Sequence, residues 1–183
     1  KIEFRRANFS YESGNPILKN VSFVVPPGEK LAIVGPTGSG KSTLIRLLGR
    51  FYDFPDGMLF LDEVDINHLH SGDVRSRVGV VLQDFHIFSG TILDNILLGD
   101  PTITRDMAIA AAKTVNAHGF ISSLRDGYDT LLLERGTNLS QGERQLLAFA
   151  RVLAADPEVL VLDEATASID TETELYSMES LVC

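Results

Sequence analysis

The distribution of apolar and polar residues changes along the chain, and each pattern predicts a different kind of element. Near the N-terminus apolar residues alternate with polar ones, at Ile2 and Phe4 and again within residues 21–25. Alternation of period two is typical of half-buried strands, and the turn sequence Pro26-Pro27-Gly28 ends this region. We therefore expect the chain to begin with an antiparallel sheet.

Three continuous apolar runs predict strands that are buried on both faces. They cover residues 31–34, 78–82 and 159–162, and short runs of this kind are typical of the centre of a parallel sheet. A further hairpin-like piece lies at residues 58–61. Between about residues 91 and 138 the pattern becomes helical, most clearly in the alanine-rich residues 106–117, and residues 141–154 predict another helix. Strands interleaved with helices predict an α/β fold.

Length, composition and net charge limit the classes of protein to which this chain can belong. The chain has 183 residues, 44% of them hydrophobic, and a net charge of −9, which indicates a folded domain and disfavours a broad nucleic-acid-binding face. No apolar stretch approaches the roughly 18 residues that span a bilayer. The single cysteine, Cys183, fits a reducing compartment.

One motif carries most of the chemistry. The pattern G-x-x-x-x-G-K-[ST] is matched, between the apolar run 31–34 and a predicted helix, by Gly35-Pro36-Thr37-Gly38-Ser39-Gly40-Lys41-Ser42. Backbone N–H groups of such a loop and the helix N-terminus bind phosphate oxygens. Lys41 would reach the β- and γ-phosphates, and Ser42 would ligate Mg²⁺. The alternative is a glycine-rich turn before an ordinary helix.

Two carboxylates follow the apolar run 159–162. Asp163 and Glu164 then lie at the carboxyl end of a strand, where open α/β sheets bind ligands. Asp163 suits Mg²⁺ binding, and Glu164 suits the general base that polarises an attacking water. A plain acidic loop start is the alternative.

The segment 139–143 opens the predicted helix 141–154 and has two interpretations. Ser140 and Glu143 fit an S-x-x-E capping box. A helix N-terminus with Ser140 and Gly142 is also a good receptor for a γ-phosphate. The residues alone leave both interpretations open.

Taken together, the motifs resemble the nucleotide-binding domain of ATP-binding cassette (ABC) transporters. The resemblance runs from Lys1 to about Glu174 and rests on residues 35–42, Gln83, residues 139–143, residues 159–164 and residues 168–170. It implies a phosphate-loop NTPase core with a mainly parallel sheet, an N-terminal antiparallel β subdomain and an inserted helical subdomain. The implied boundaries are 1–90 for the β subdomain and phosphate-loop core, 91–140 for the helical part, and 141–183 for the rest of the core.

The resemblance also implies roles for single residues. Tyr11 would stack on adenine, although a strand tyrosine more generally packs in a core. Gln83 would contact Mg²⁺ and the attacking water, and Asp170 would help to organise a dimer interface. The implied catalytic residues are Glu164, Lys41 and Gln83, and the implied metal ligands are Ser42, Gln83 and Asp163. The implied nucleotide contacts are Tyr11, Gly35, Pro36, Thr37, Gly38, Ser39, Gly40, Lys41, Ser42, Thr43, Ser140, Gly142 and Glu143.

The implied activity is ATP hydrolysis with Mg²⁺ by a dimer of such domains, identical or different, each ATP being shared between two subunits. Residues 134–136, and residues 88–92 with 94–96, resemble the exporter branch of the family; simple turn and helix-start sequences are the alternative. The exporter resemblance implies a transmembrane-domain partner and a place at the cytoplasmic face of a membrane. The net charge of −9 speaks against a nucleic-acid partner. The family's switch histidine should lie roughly thirty residues beyond Glu164, which this chain does not reach, so we expect a C-terminally truncated domain. The alternatives are a soluble ABC ATPase without transport and an ATP-binding interaction module with impaired hydrolysis.

Overall fold

The computed structural model describes residues 1–11, 14–82 and 86–163, and these form two compact units. The first unit is Lys1–Val78 and the second begins at Gly79. The prediction for Asp170 and the remark on Cys183 lie outside the described residues.

The first unit is built on a four-stranded antiparallel sheet. Its strands are β1 (Ile2–Phe9), β2 (Leu18–Val25), β3 (Leu59–Leu61) and β4 (Val64–Asp65), in the order β2-β1-β3-β4. In the register Phe4 pairs with Phe23 on one side and with Leu59 on the other. The alternating apolar residues at the N-terminus thus form the predicted antiparallel sheet, and residues 58–61 supply one strand of the predicted hairpin with β4.

Helix α1 (Lys41–Leu48) buries its apolar side in this unit. A second helix, α2 (Ser71–Arg77), lies later in the chain of the same unit. Thr43, Leu44, Leu47 and Leu48 are the buried residues of α1, at the spacing of one helical face. Lys41 and Ser42 lie in the first turn of α1, where Lys41 is half-buried and Ser42 is exposed. The helix therefore fixes the end of the glycine-rich loop against a packed core.

The prediction of a buried strand at residues 31–34 is wrong. No strand is assigned there, all four residues are exposed, and Val34 keeps 89% of its surface accessible. An apolar run becomes a strand only when a neighbouring strand accepts its backbone hydrogen bonds. Within residues 1–11, 14–82 and 86–163, no backbone hydrogen bond joins residues 31–34 to a neighbouring segment. Residues 31–34 are apolar as observed in the sequence, but whether they pair with another strand depends on the tertiary structure and not on their composition.

The second unit is mainly helical around one apolar core. Its helices are α3 (Ile92–Leu97), α4 (Arg105–Thr114), α5 (His118–Ser123) and α6 (Gln141–Ala154). Its strands are β5 (Val78–Val81), β6 (Gly90–Thr91), β7 (Leu131–Leu132) and β8 (Val159–Leu162), with β6 antiparallel to β7 and β5 paired with β8. The predicted bounds of α6 and β8 are confirmed, and β5 covers residues 78–81 of the predicted run.

The helix predicted over residues 106–117 is shorter than expected. It ends at Thr114 because Asn116 adopts a left-handed conformation with φ of 60°. The backbone N–H of Ala117 donates to the carbonyl of Ala112 at 2.8 Å, and that of Asn116 donates to Lys113 at 3.1 Å. A left-handed asparagine with bonds of this kind ends a helix. A separate helix, α5, then begins at His118.

Candidate functional site: a phosphate-binding loop and a capped helix

The glycine-rich loop has the backbone shape that phosphate binding requires. Gly38 and Gly40 have φ values of 83° and 97°, which side-chain-bearing residues rarely adopt. The N–H of Ser39 donates to the carbonyl of Pro36 at 3.1 Å and forms a tight turn. Residues 35–39, among them Thr37, are exposed, so the loop backbone faces solvent.

Gly40 is restricted by its neighbours as well as by its backbone angles. A Cβ at this position would lie 2.8 Å from Cδ2 of Leu18, the buried first residue of β2. A side chain at position 40 would therefore have to displace the buried Leu18. The glycine that the motif requires here is explained by this contact.

Helix α1 begins without a side-chain cap, unlike four other helices of the described chain. Its N-cap is Gly40, which offers no side-chain acceptor, whereas at the N-termini of α2, α3, α4 and α6 hydrogen bonds are accepted by the side chains of His70, Thr91, Thr104 and Ser140 respectively. The first N–H groups of a helix have no partner within the helix. Together with the helix dipole they favour an anion. The local geometry thus fits a phosphate group.

The Lys41 side chain folds back over this loop. Its Nζ donates to the carbonyl of Gly35 at 2.7 Å and to that of Pro36 at 3.2 Å. An ammonium group has three donors, so these two bonds leave one for a ligand. The side chain that sequence analysis assigned to the β- and γ-phosphates is therefore held at the loop itself.

Tyr11 lies beside the same helix. Its hydroxyl is 3.0 Å from Oγ1 of Thr43, which is buried in α1. The ring of Tyr52 lies 4.8 Å from that of Tyr11, at an angle of 73°. Sequence analysis placed Tyr11 and Thr43 in one site, and the structure brings them into contact. It did not single out Tyr52, since an aromatic residue in a loop after a helix has no motif to mark it.

The second unit carries the other phosphate-contact candidates at the start of α6. The N–H of Glu143 donates to Oγ of Ser140 at 3.2 Å, and the N–H of Ser140 donates to Oε2 of Glu143 at 2.8 Å. The predicted capping box is therefore present. A Cβ on Gly142 would meet no atom within 4 Å. The packing within residues 1–11, 14–82 and 86–163 thus does not require glycine at that position.

Asp163 follows β8 as predicted. Its N–H donates to the carbonyl of Val81 at 3.0 Å, which places it at the end of the β5–β8 pair. Gln83 and Glu164, the other two residues expected at this edge, lie outside the described residues. Their predicted roles stay predictions.

No cluster of three or more histidine, cysteine, aspartate or glutamate side chains able to hold a metal occurs in residues 1–11, 14–82 and 86–163. Mg²⁺, the ion implied by the family resemblance, usually takes one or two protein oxygen ligands and completes its shell with water and nucleotide phosphates. The hydroxyl of Ser42 and the carboxylate of Asp163 are oxygen donors of the required kind. In the same ranges no helix combines the length and apolar character needed to cross a bilayer.

Comparison with known proteins identifies the family. A model described as ABC transporter matches residues 18–167. The chain belongs to the ABC transporter family. It is similar to the ABC transporter ATP-binding protein YfiC of Bacillus subtilis (strain 168), with 48% identity over 98% of this chain and 30% of that protein. It is 45% identical to the fatty acid ABC transporter ATP-binding/permease protein of Mycobacterium tuberculosis (strain CDC 1551 / Oshkosh), over 99% of this chain and 29% of that protein.

A solved structure of a bacterial Atm1-family ABC exporter with ATP bound matches with a TM-score of 0.92 and 42% identity, over 98% of this chain and 32% of that one. The predicted resemblance to exporter-type ABC domains and the predicted phosphate-loop NTPase fold are thereby confirmed. This ABC transporter chain spans about 30% of the length of the curated relatives it matches.

Proposed function

We propose that this chain binds Mg·ATP through residues 35–42 and, paired with a second domain of its kind, hydrolyses it to drive export through a transmembrane domain. The observation that carries the proposal is the geometry of the loop. Gly38 and Gly40 turn its backbone, α1 begins without a side-chain cap, and Lys41 holds its charge on the loop carbonyls. These features together suit a chain of phosphates better than a single small anion.

In this proposal the residues divide the work as follows. Lys41 and the N–H groups of the loop stabilise negative charge on the transferring phosphoryl group. Ser42 and Asp163 hold Mg²⁺, with Gln83 as a further ligand, and Glu164 orients the attacking water. Tyr11 stacks on the base.

The start of α6 would complete a second subunit's site. Ser140 uses its oxygen as acceptor for the N–H of Glu143, while its own hydroxyl hydrogen is a donor. The hydroxyl is therefore able to cap α6 and to donate to a γ-phosphate at once. Gly142 adds an N-terminal N–H group with open space around it. Capping and phosphate contact are compatible roles, and we propose both. We also propose a place at the cytoplasmic face of a membrane, where a transmembrane-domain partner would bind.

The test is the nucleotide affinity of the Lys41→Ala variant of the full-length protein. We expect its Kd for Mg·ATP to rise at least 100-fold, because a charge-assisted contact in a preformed site is worth several kcal/mol. Lys19→Ala removes an exposed lysine of β2 in the same unit and serves as the control. Equal ATP affinity in the two variants would show that residues 35–42 are not the nucleotide site.

A further inference from the structure

Four aromatic rings form a continuous cluster beside the phosphate-loop helix. The ring of Phe9 lies 5.2 Å from Tyr11, 6.2 Å from Tyr52 and 6.0 Å from Phe54. Phe9 and Phe54 are buried, but Tyr11 and Tyr52 keep 37% and 42% of their surface exposed. The cluster therefore has a buried base and an exposed pair of tyrosines at its edge.

The Tyr11 ring is fixed from three directions. Phe9 lies nearly perpendicular to it at 84°, and Tyr52 lies at 73° with centroids 4.8 Å apart. The Tyr11 hydroxyl forms a hydrogen bond with Thr43, a buried residue of α1. Perpendicular aromatic pairs at such distances are favourable beyond the area they bury. The ring is thus held in one orientation relative to the loop that begins α1.

Tyr52 is the one exposed member of this arrangement that sequence analysis did not place in the site. It lies in the segment after α1, where the N–H of Phe51 donates to the carbonyl of Arg46 at 3.0 Å. The segment is therefore anchored to the helix that carries Lys41 and Thr43. The ring of Tyr52 packs against the rings of Phe9 and Tyr11.

We propose that Tyr52 is a positioning residue that sets the affinity of the site for the nucleobase, by holding the Tyr11 ring in the orientation in which a base stacks on it. The inference rests on the proposed function. A side chain that must be ordered on binding costs affinity, and a ring ordered beforehand avoids that cost. Tyr52 supplies part of this order, and the hydroxyl of Thr43 supplies the rest.

The chemical class of ligand follows from the same geometry. A tyrosine face selects for the area of a base rather than for its hydrogen-bonding edge. The contribution of Tyr52 therefore appears with a nucleoside triphosphate that carries a purine and is absent with a bare triphosphate. This separation distinguishes a role in base positioning from a role in building the loop.

The experiment measures Kd values of Mg·ATP and Mg·tripolyphosphate by calorimetry on the full-length protein and two variants. Tyr52→Leu removes the ring with similar bulk, and Tyr52→Phe keeps the ring as the matched control. We expect Tyr52→Leu to weaken ATP binding about 2- to 12-fold, the equilibrium equivalent of one aromatic pair. Tripolyphosphate affinity should stay unchanged, and Tyr52→Phe should bind ATP within about 2-fold of the parent. If Tyr52→Leu precipitates, Tyr52→Gln replaces it with the same expectation.

Two results would overturn the inference while leaving the proposed function in place. One is an unchanged ATP affinity in Tyr52→Leu. The other is an equal loss for ATP and tripolyphosphate, which would mean that Tyr52 only supports the fold around α1. A parent protein that binds neither ligand would instead remove the proposed function and the inference with it.

Discussion

At the scale of single residues, Gly40 shows how two constraints meet at one position. Its φ of 97° disfavours every other amino acid, and its missing side chain leaves room for Leu18. Gly57 has a similar φ of 78°, but a Cβ there would meet nothing within 4 Å. Comparing alanine substitutions at the two positions therefore distinguishes the cost of a left-handed backbone from the cost of a steric contact.

We expect Gly40→Ala to lower the free energy of unfolding by about 2–4 kcal/mol and Gly57→Ala by about 1–2 kcal/mol. The smaller value reflects the left-handed backbone alone, and the larger adds displacement of a buried leucine. Urea unfolding midpoints of the two variants and the parent measure the difference. Equal losses would mean that the leucine moves aside without cost.

The carboxylate of Glu3 illustrates a charge effect at the surface. Arg5 donates to its two oxygens, from Nε at 2.5 Å and from Nη2 at 3.0 Å. These bonds lower the pKa of Glu3 from 4.5 to about 2, with a further contribution from Lys1. A depressed carboxyl pKa stabilises the fold above the unfolded value and loses that effect as the pH falls toward the folded one.

We therefore expect the stability difference between the parent and Glu3→Gln to be constant above about pH 4.5 and to shrink toward pH 2. Arg5→Gln should remove most of the same pH dependence, because it removes the main cause of the shift. Thermal unfolding from pH 2 to pH 6 measures it. A difference that stays constant over this range would contradict the assignment.

At the scale of elements, a half-buried arginine joins α6 to α3 and to the segment before α3. Arg151 donates from Nε to the carbonyl of Asn95 and from Nη1 to that of His86, both at 2.8 Å, and from Nη2 to Oδ1 of Asn95 at 3.1 Å. Asn95 is itself buried and bonds the backbone of Phe88 in both directions. Burial lowers the pKa of the Arg151 guanidinium from its ordinary value. The helix that begins at the capping box thus fixes the chain that follows β5.

We expect Arg151→Met to lower the free energy of unfolding by about 2–4 kcal/mol, because it leaves the backbone carbonyl of the buried Asn95 without this donor. The control is Arg105→Met, which removes an exposed pair with Asp129 and should cost less than about 1 kcal/mol. Urea unfolding compares them. Similar small losses in both would show that water replaces the arginine.

Elements with a strong local signal were predictable from the sequence. The capping box and the apolar face of α6 set its bounds, Gln141–Ala154, and the chain Val159–Leu162 forms β8. Elements that depend on contacts with residues distant in the sequence were not predictable in this way. Residues 31–34 have the composition of a strand, but no neighbouring strand pairs with them within the described residues. Helix α4 ends early because one residue, Asn116, is left-handed.

The candidate site was predictable to a similar degree and for similar reasons. Residues 35–42 carry their chemistry in consecutive positions, so the motif alone located the loop and the lysine. Tyr52 lies outside any motif, since its contact with Tyr11 arises only from folding. The residues of the loop motif could be located from the sequence, whereas the side chains that hold Tyr11 in place could not.

At the scale of the whole molecule, the chain corresponds to about 30% of its curated relatives, and its proposed site needs a second domain. Gly142 offers a test of that requirement, because a Cβ there meets no atom within 4 Å in the part of the chain that the structure describes. We therefore expect a penalty for a side chain at this position to come from a partner or its nucleotide.

We expect Gly142→Ala to keep or slightly raise the free energy of unfolding, by up to about 1 kcal/mol, since alanine favours helices. ATP-dependent dimerisation should nevertheless weaken. Gly119→Ala, an equally open position in α5, should leave dimerisation unchanged. Light scattering with and without Mg·ATP measures the association. Equal dimerisation of both variants would exclude the start of α6 from the interface.

The uncapped start of α1 has a consequence for how the stability of this protein depends on its surroundings. The capping box of α6 satisfies two backbone N–H groups at its start from the helix's own sequence, whereas no side chain caps the start of α1, whose N–H groups bind solvent or a ligand. A ligand that binds only the folded loop adds RT ln(1 + [L]/Kd) to the free energy of unfolding. The melting temperature of this unit is therefore not a fixed property of the chain, and it should rise with the concentration of phosphate-bearing molecules in the buffer.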